Sequence, residues 1–117
     1  MKYLLLVCWD AEKMDAQDEP APSEPTAEEE SFPWLDDLQA RGAWITGDQL
    51  APPRRARSVR VRDGKPIVTD GPFAETKEAV GGFDVVECDS LEEAVEVAAA
   101  HPVAQLGTIE VRPLWGS

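Results

Sequence analysis

Residues 59–88 read VRVRDGKPIVTDGPFAETKEAVGGFDVVEC, and the order of elements in this stretch decides the fold. Val59, Val61 and Ile67 alternate with polar neighbours on either side of Asp63-Gly64. That dipeptide suits the two positive-φ positions of a tight hairpin. Pro66, just after the turn, has no N–H to donate, which predicts an edge ribbon rather than a central one. Phe83 to Cys88 then runs as a further strand. The two strand-like runs are joined by Val68 to Gly82, which is more than a plain loop. Asp70-Gly71-Pro72-Phe73 sets a turn former, a φ-permissive glycine, a ring-fixed proline and a large apolar ring in four positions. Glu75-Thr76-Lys77-Glu78 and the doublet Gly81-Gly82 follow.

Upstream, Tyr3, Leu5 and Val7 alternate with Leu4, Leu6 and Cys8, and all six are apolar. Such a strand predicts a sheet covered on both faces. Residues 10–25 are acidic and carry Pro20, Pro22 and Pro25, the composition of a flexible excursion. Thr26-Ala27-Glu28-Glu29 has the spacing of a capping box. Pro33 suits the first position of the main helix, with Trp34, Leu35 and Leu38 as its buried stripe and Gly42 ending it. Ala43 to Leu50 reads as a second strand. Downstream, Ser90-Leu91-Glu92-Glu93 is a second capping box, opening a helix that stops at His101-Pro102. In the last strand Ile109 and Val111 alternate with Glu110 and Arg112.

The order is therefore strand, helix, strand, hairpin, strand, helix, strand. That predicts an α+β, ferredoxin-like (split βαβ) protomer with an inserted β-hairpin, as a single domain over residues 1–117. Cys8 and Cys88 would sit at opposite ends of neighbouring strands, so no intrachain disulfide is predicted. Two helices cover only one face of such a sheet. The doubly apolar first strand then calls for a symmetric partner on the other, a homodimer.

The chain has 117 residues and a formal charge of −12, which argues against nucleic acid as a partner. The charge is uneven. Eleven acids against Lys13 alone fall between Asp10 and Asp37, and six bases against Asp63 alone between Arg54 and Lys65. The two segments are solvated faces, or they attract each other within or between subunits. No apolar run reaches the ~20 residues of a membrane helix, and Trp9-Asp10 end the first run too abruptly for a signal peptide. A cytoplasmic protein with no membrane partner is expected. His101 is the sole histidine, which leaves neither a conventional zinc site nor a histidine triad within one subunit. No metal or other cofactor is implied.

The opening KYLLLV, the block VRVRDGKPIVTDGPFAETKEAVGGF and the closing IEVRPL resemble the DGPF-domain branch of the YCII-related family over nearly the whole chain, residues 10–25 excepted. The resemblance implies a dimeric α+β barrel of ferredoxin-like protomers. Some relatives occur beside extracytoplasmic-function sigma factors, which implies a transcription-associated regulatory or protein-interaction role as one reading. The wider family's suspected enzymatic activity is tied to a His-Asp pair in a cleft. Here the one histidine stands at a helix end instead, which argues against a His-dependent reaction.

The candidate ligand-binding set is Asp70, Phe73, Thr76, Lys77, Gly81 and Gly82, around a cleft for a small molecule. Asp70 is either a general acid-base group of a weak enzyme or an Asx-type turn residue. Lys77 binds an anion or pairs with Glu75 and Glu78 on the surface. Thr76 caps a turn or donates to a ligand. The glycine doublet admits a close approach by a ligand, a bulge or another subunit, and it lacks the spacing of a phosphate cradle. Asp10 and Asp48 are strand-end acids, or a carboxylate pair if the sheet brings them together. His101 is expected to complement its helix dipole as a cation. Trp34 is expected in the core, and Trp9, Trp44 and Trp115 in packing or dimer contacts.

Overall fold

The structure, a computed structural model, describes residues 1–17 and 33–116. Four antiparallel strands form one sheet: β1 (Lys2–Asp10), β2 (Trp44–Gln49), β5 (Glu78–Glu87) and β6 (Thr108–Pro113), in the order β2-β5-β1-β6. This order is compatible with a ferredoxin-like α+β fold. Strands β3 (Arg57–Arg62) and β4 (Lys65–Asp70) form a separate two-stranded sheet between β2 and β5 in the chain. Asp63 and Gly64 at its tip both have positive φ, 53° and 74°, which the tight turn requires. Helices α2 (Pro33–Ala40) and α3 (Leu91–Ala99) lie on one face of the large sheet.

Tyr3, Leu5 and Val86 from the sheet, Trp34 and Leu38 from α2, and Ala94, Val97 and Ala98 from α3 make the core. Pro33 opens α2, and Gly42, at φ 68°, follows its end. The Ser90 hydroxyl accepts from the Glu93 N–H at 3.1 Å, a cap of the kind that contributes about 1 kcal/mol. Cys8 and Cys88 are free thiols. Cys8 lies opposite Val80, while the Cys88 N–H donates to the Met1 carbonyl at the other end of β1.

Three expectations are corrected. Residues 11–15 are not part of an irregular excursion. They form a short helix, α1 (Ala11–Asp15), because Asp10 accepts the Lys13 N–H as its cap and Met14 is buried beneath it. The capping box proposed at Thr26 lies outside the described residues. The connector 71–82 is shorter than its composition suggests, since Glu78 to Gly82 already belong to β5 and pair with an extended β1. Val7 faces Gly82 and Cys8 faces Val80, so Gly81 is the extra residue of a β-bulge.

The third correction concerns His101, which is buried rather than set to complement the helix dipole. Its Nδ1 accepts the Val103 N–H at 3.0 Å, and its ring meets Trp34 edge-on at 4.6 Å. Burial pushes its pKa down to about 4. The ring is therefore neutral at physiological pH and caps the following 3₁₀ turn.

The opposite face of the sheet has no helix. Directly paired residues share a face, so Leu4, Leu6 and Cys8 lie there with Val85, Phe83 and Val80. All but the exposed Val80 are only half-buried.

Candidate functional site

The 70–77 segment is built as a brace for the hairpin. Asp70 ends β4 opposite Arg57, and its exposed carboxylate pairs with the Arg57 guanidinium at 3.1 Å. Gly71 takes φ 87°, which turns its N–H onto the Ala56 carbonyl at 2.8 Å. The Ser58 hydroxyl donates to the Gly71 carbonyl at 2.8 Å. The Thr76 hydroxyl donates to the Glu78 carbonyl, and the Lys77 carbonyl accepts the Ala11 N–H at 2.9 Å. Phe73 is 79% exposed.

Of the six candidate residues, Gly81 alone lines the cavity between β1, α1 and the chain leaving β2, among the described residues. The space measures about 250 Å³. Trp9, Met14, Leu50, Ala51 and Pro52 supply its apolar wall. Gln17, Gln49, Arg54 and Arg55 supply polar groups, and Gly81 forms part of the floor. A Cβ at Gly81 would lie 2.7 Å from Met14 Sδ and 2.9 Å from Trp9 Nε1. A side chain at this bulge position would thus press on the two side chains packed over it.

Arg54 is fixed by its neighbours. Its backbone N–H donates to Asp15 Oδ1 at 2.8 Å, and its guanidinium donates to the carbonyls of Asp15 at 3.0 Å and Gln17 at 2.9 Å. The acidic and basic segments thus meet within one chain at Arg54. It satisfies carbonyls at the C-terminal end of α1 with a cation.

The acids considered as a pair are engaged separately, Asp10 in capping α1 and Asp48 in accepting the Gln49 N–H at 2.8 Å. The perturbed carboxyl is instead Asp84, which sequence reading missed. It lies opposite Leu5 on the helix-covered face and accepts from Trp44 Nε1 at 2.9 Å. Burial raises its pKa, opposed in part by that hydrogen bond. Gly47 faces it, and a Cβ there would lie 2.5 Å from Asp84 Oδ1. Asp84 is not among the residues lining the cavity.

A wider groove of about 420 Å³ runs between α2 and α3. Trp34, Leu38 and Val97 of the core line it, and the exposed Asp37–Arg41 ion pair lies at its rim. It is the seam of two packed helices. Among the described residues no cluster of His, Cys, Asp and Glu is arranged to hold a metal ion. No helix among them is long and apolar enough to cross a membrane.

The cavity residues come from four separated stretches. Trp9 and the pair Arg54-Arg55 were visible as a strand-end aromatic and a basic run, but nothing in the sequence joins them.

An uncharacterized protein, R00369, from Rhizobium meliloti (strain 1021) is 46% identical over 70 residues, which cover 56% of this chain and 55% of that protein. The chain thus spans about half the length of this curated relative. The family model of the YCII-related domain matches residues 1–116, which include the sheet, both covering helices, the hairpin brace and the cavity. The chain belongs to the YCII-related family.

Proposed function

We propose that this chain is a small cytoplasmic homodimer that binds a small molecule in the cavity beside Gly81. The cavity itself carries the reading: a concave space in which an aromatic and aliphatic wall meets a few convergent polar groups is a common make-up of a ligand site. It adjoins the glycine end of the DGPF-type segment, by which we place the chain in the DGPF branch of its family. Binding is preferred to acid-base catalysis because the Asp70 carboxylate is exposed and paired with Arg57. In this reading Gly81 contributes backbone to the site, Gly82 continues β5 beside it, and Asp70, Thr76 and Lys77 hold the adjoining loop in place. Phe73 contacts the second copy.

The test is protein-observed NMR with a library of small metabolites. Hits are expected to move the Trp9 indole N–H, the Gln49 side-chain amide and the Gly81 amide. Hits that perturb only other residues overturn the site.

Two exposed apolar surfaces support the dimer. One is the open sheet face around Leu4, Leu6, Phe83 and Val85. The other is a hairpin face: Val59 faces Val68 and Val61 faces Pro66, and the three valines are 62%, 59% and 58% exposed, in the order Val59, Val68, Val61. A two-stranded ribbon is marginal by itself, and a second copy stacked on the open face gives a dimeric α+β barrel. Light scattering is expected to show a dimeric mass for the native chain and a monomeric mass for Leu6→Asp. A native monomer at micromolar concentration overturns the dimer. The free thiols accord with a reducing compartment.

A further inference from the structure

We infer that the cavity selects a small carboxylate with an apolar body, and that Arg55 reads the carboxylate. This inference rests on the binding site proposed above and names its ligand class. The chain holds 23 acids against 11 bases, yet the lining of the cavity among the described residues includes Arg54 and Arg55 and no acid. The lining therefore inverts the charge balance of the molecule around it. In so acidic a protein this arrangement favours an anion here, as do the exposed bases of the neighbouring hairpin, and the acidic surface elsewhere repels it.

The two arginines have different tasks. Arg54 is committed to the carbonyls of Asp15 and Gln17. Arg55 is the next residue of the same 3₁₀ turn, Pro53–Arg55. Among the described residues its side chain makes no ion pair or hydrogen bond. Its planar fork of donors matches a carboxylate in two parallel hydrogen bonds. Gln49 and Trp9 add a neutral amide and an indole N–H to the same cavity. A phosphate dianion is ordinarily held by several cations or by a nest of backbone N–H groups, and one uncommitted guanidinium suits a single carboxylate better.

Size limits the rest of the ligand. At about 250 Å³ the space falls below the roughly 300–1,000 Å³ of sites for drug-sized molecules. Its apolar wall of Trp9, Met14, Leu50, Ala51 and Pro52 would cover one ring or a short branched chain.

The test is NMR titration of the full chain with benzoate, benzamide and phenyl phosphate, repeated with Arg55→Gln. Arg55 is exposed, so this substitution leaves the core intact. Benzoate is expected to move the Trp9 indole N–H and the Gln49 amide, with benzamide about tenfold weaker. Arg55→Gln is expected to weaken benzoate by about the same factor and to leave benzamide unchanged. Equal affinities for benzoate and benzamide, or no response to Arg55→Gln, overturn the carboxylate reading and leave the cavity as a neutral-ligand site. Phenyl phosphate binding more tightly than benzoate also overturns it. If none of the three binds while library compounds reach Trp9 and Gln49, the ligand class alone falls. If nothing reaches those residues, the site falls with it.

Discussion

Between pH 6.5 and pH 4 the native chain is expected to lose up to about 3 kcal/mol of stability through His101 alone. In the unfolded chain this imidazole takes up a proton near its ordinary pKa of 6.5, whereas burial lowers the folded value to about 4. Within that window the unfolded state binds more protons, so stability falls as pH falls. Above pH 6.5 the ring is neutral in both states and the effect vanishes. Protonation would also remove the acceptor used by the Val103 N–H and place a charge against Trp34. Asp84 acts in the opposite sense. Its raised pKa means the folded state takes up that proton first, so this group adds stability as pH falls below its folded value. Urea melts at pH 7, 5.5 and 4 check the net effect against His101→Asn, which keeps a capping acceptor without titrating in this range. The native curve should fall more steeply than the variant's. Parallel curves would remove His101 as the cause.

Gly107→Ala is expected to be the more damaging substitution, costing about 3 kcal/mol and lowering the melting temperature by roughly 10–15 °C. A Cβ at Gly107 would stand 2.1 Å from the Cys8 carbonyl oxygen, 2.9 Å from Trp9 Cβ and 3.0 Å from Trp9 Cα. Two of those three atoms are backbone of β1, a central strand with β5 on one side and β6 on the other. Relief requires moving the strand rather than rotating a side chain. Gly81→Ala provides the comparison, because its new methyl would meet side-chain atoms only, Met14 Sδ and the Trp9 indole, which border the cavity and can shift without moving a strand. Calorimetry on both variants measures the difference. A Gly107→Ala protein that melts with the native chain would contradict the packing of β6 against β1.

The strands, the hairpin tip, the Pro33 start of α2 and the capped start of α3 follow from short-range chemistry, so they could be read directly. Alternating valines around Asp63-Gly64 permit little else, and Ser90 three residues before Glu93 fixes a helix start. The bulge could not be read, because Gly81-Gly82 is equally compatible with a loop, and only pairing with β1 decides between them. Helix α1 was obscured by the acidic, proline-rich composition beyond it, although Asp10 already stood at its capping position. Asp84, flanked by Phe83 and Val85, reads as the solvent-facing member of an alternating strand. The sheet in fact turns it beneath the helix layer, where Trp44 and the missing side chain of Gly47 make room. The cavity was least accessible of all, since its walls come from stretches far apart in the chain and meet only when α1 packs over β5.

The extra residue at Gly81 also divides the chain into two phases. From Phe83 onward, the odd and even positions of β5 are assigned to the solvent and core sides by pairing with β1. Before Gly81 that alternation is reset. Insertions, deletions or wholesale replacement in the hairpin and its brace are therefore decoupled from the alternation that builds the core. A change of length within residues 57–77 leaves Val86 and Asp84 on the core side, because their phase is set after the bulge.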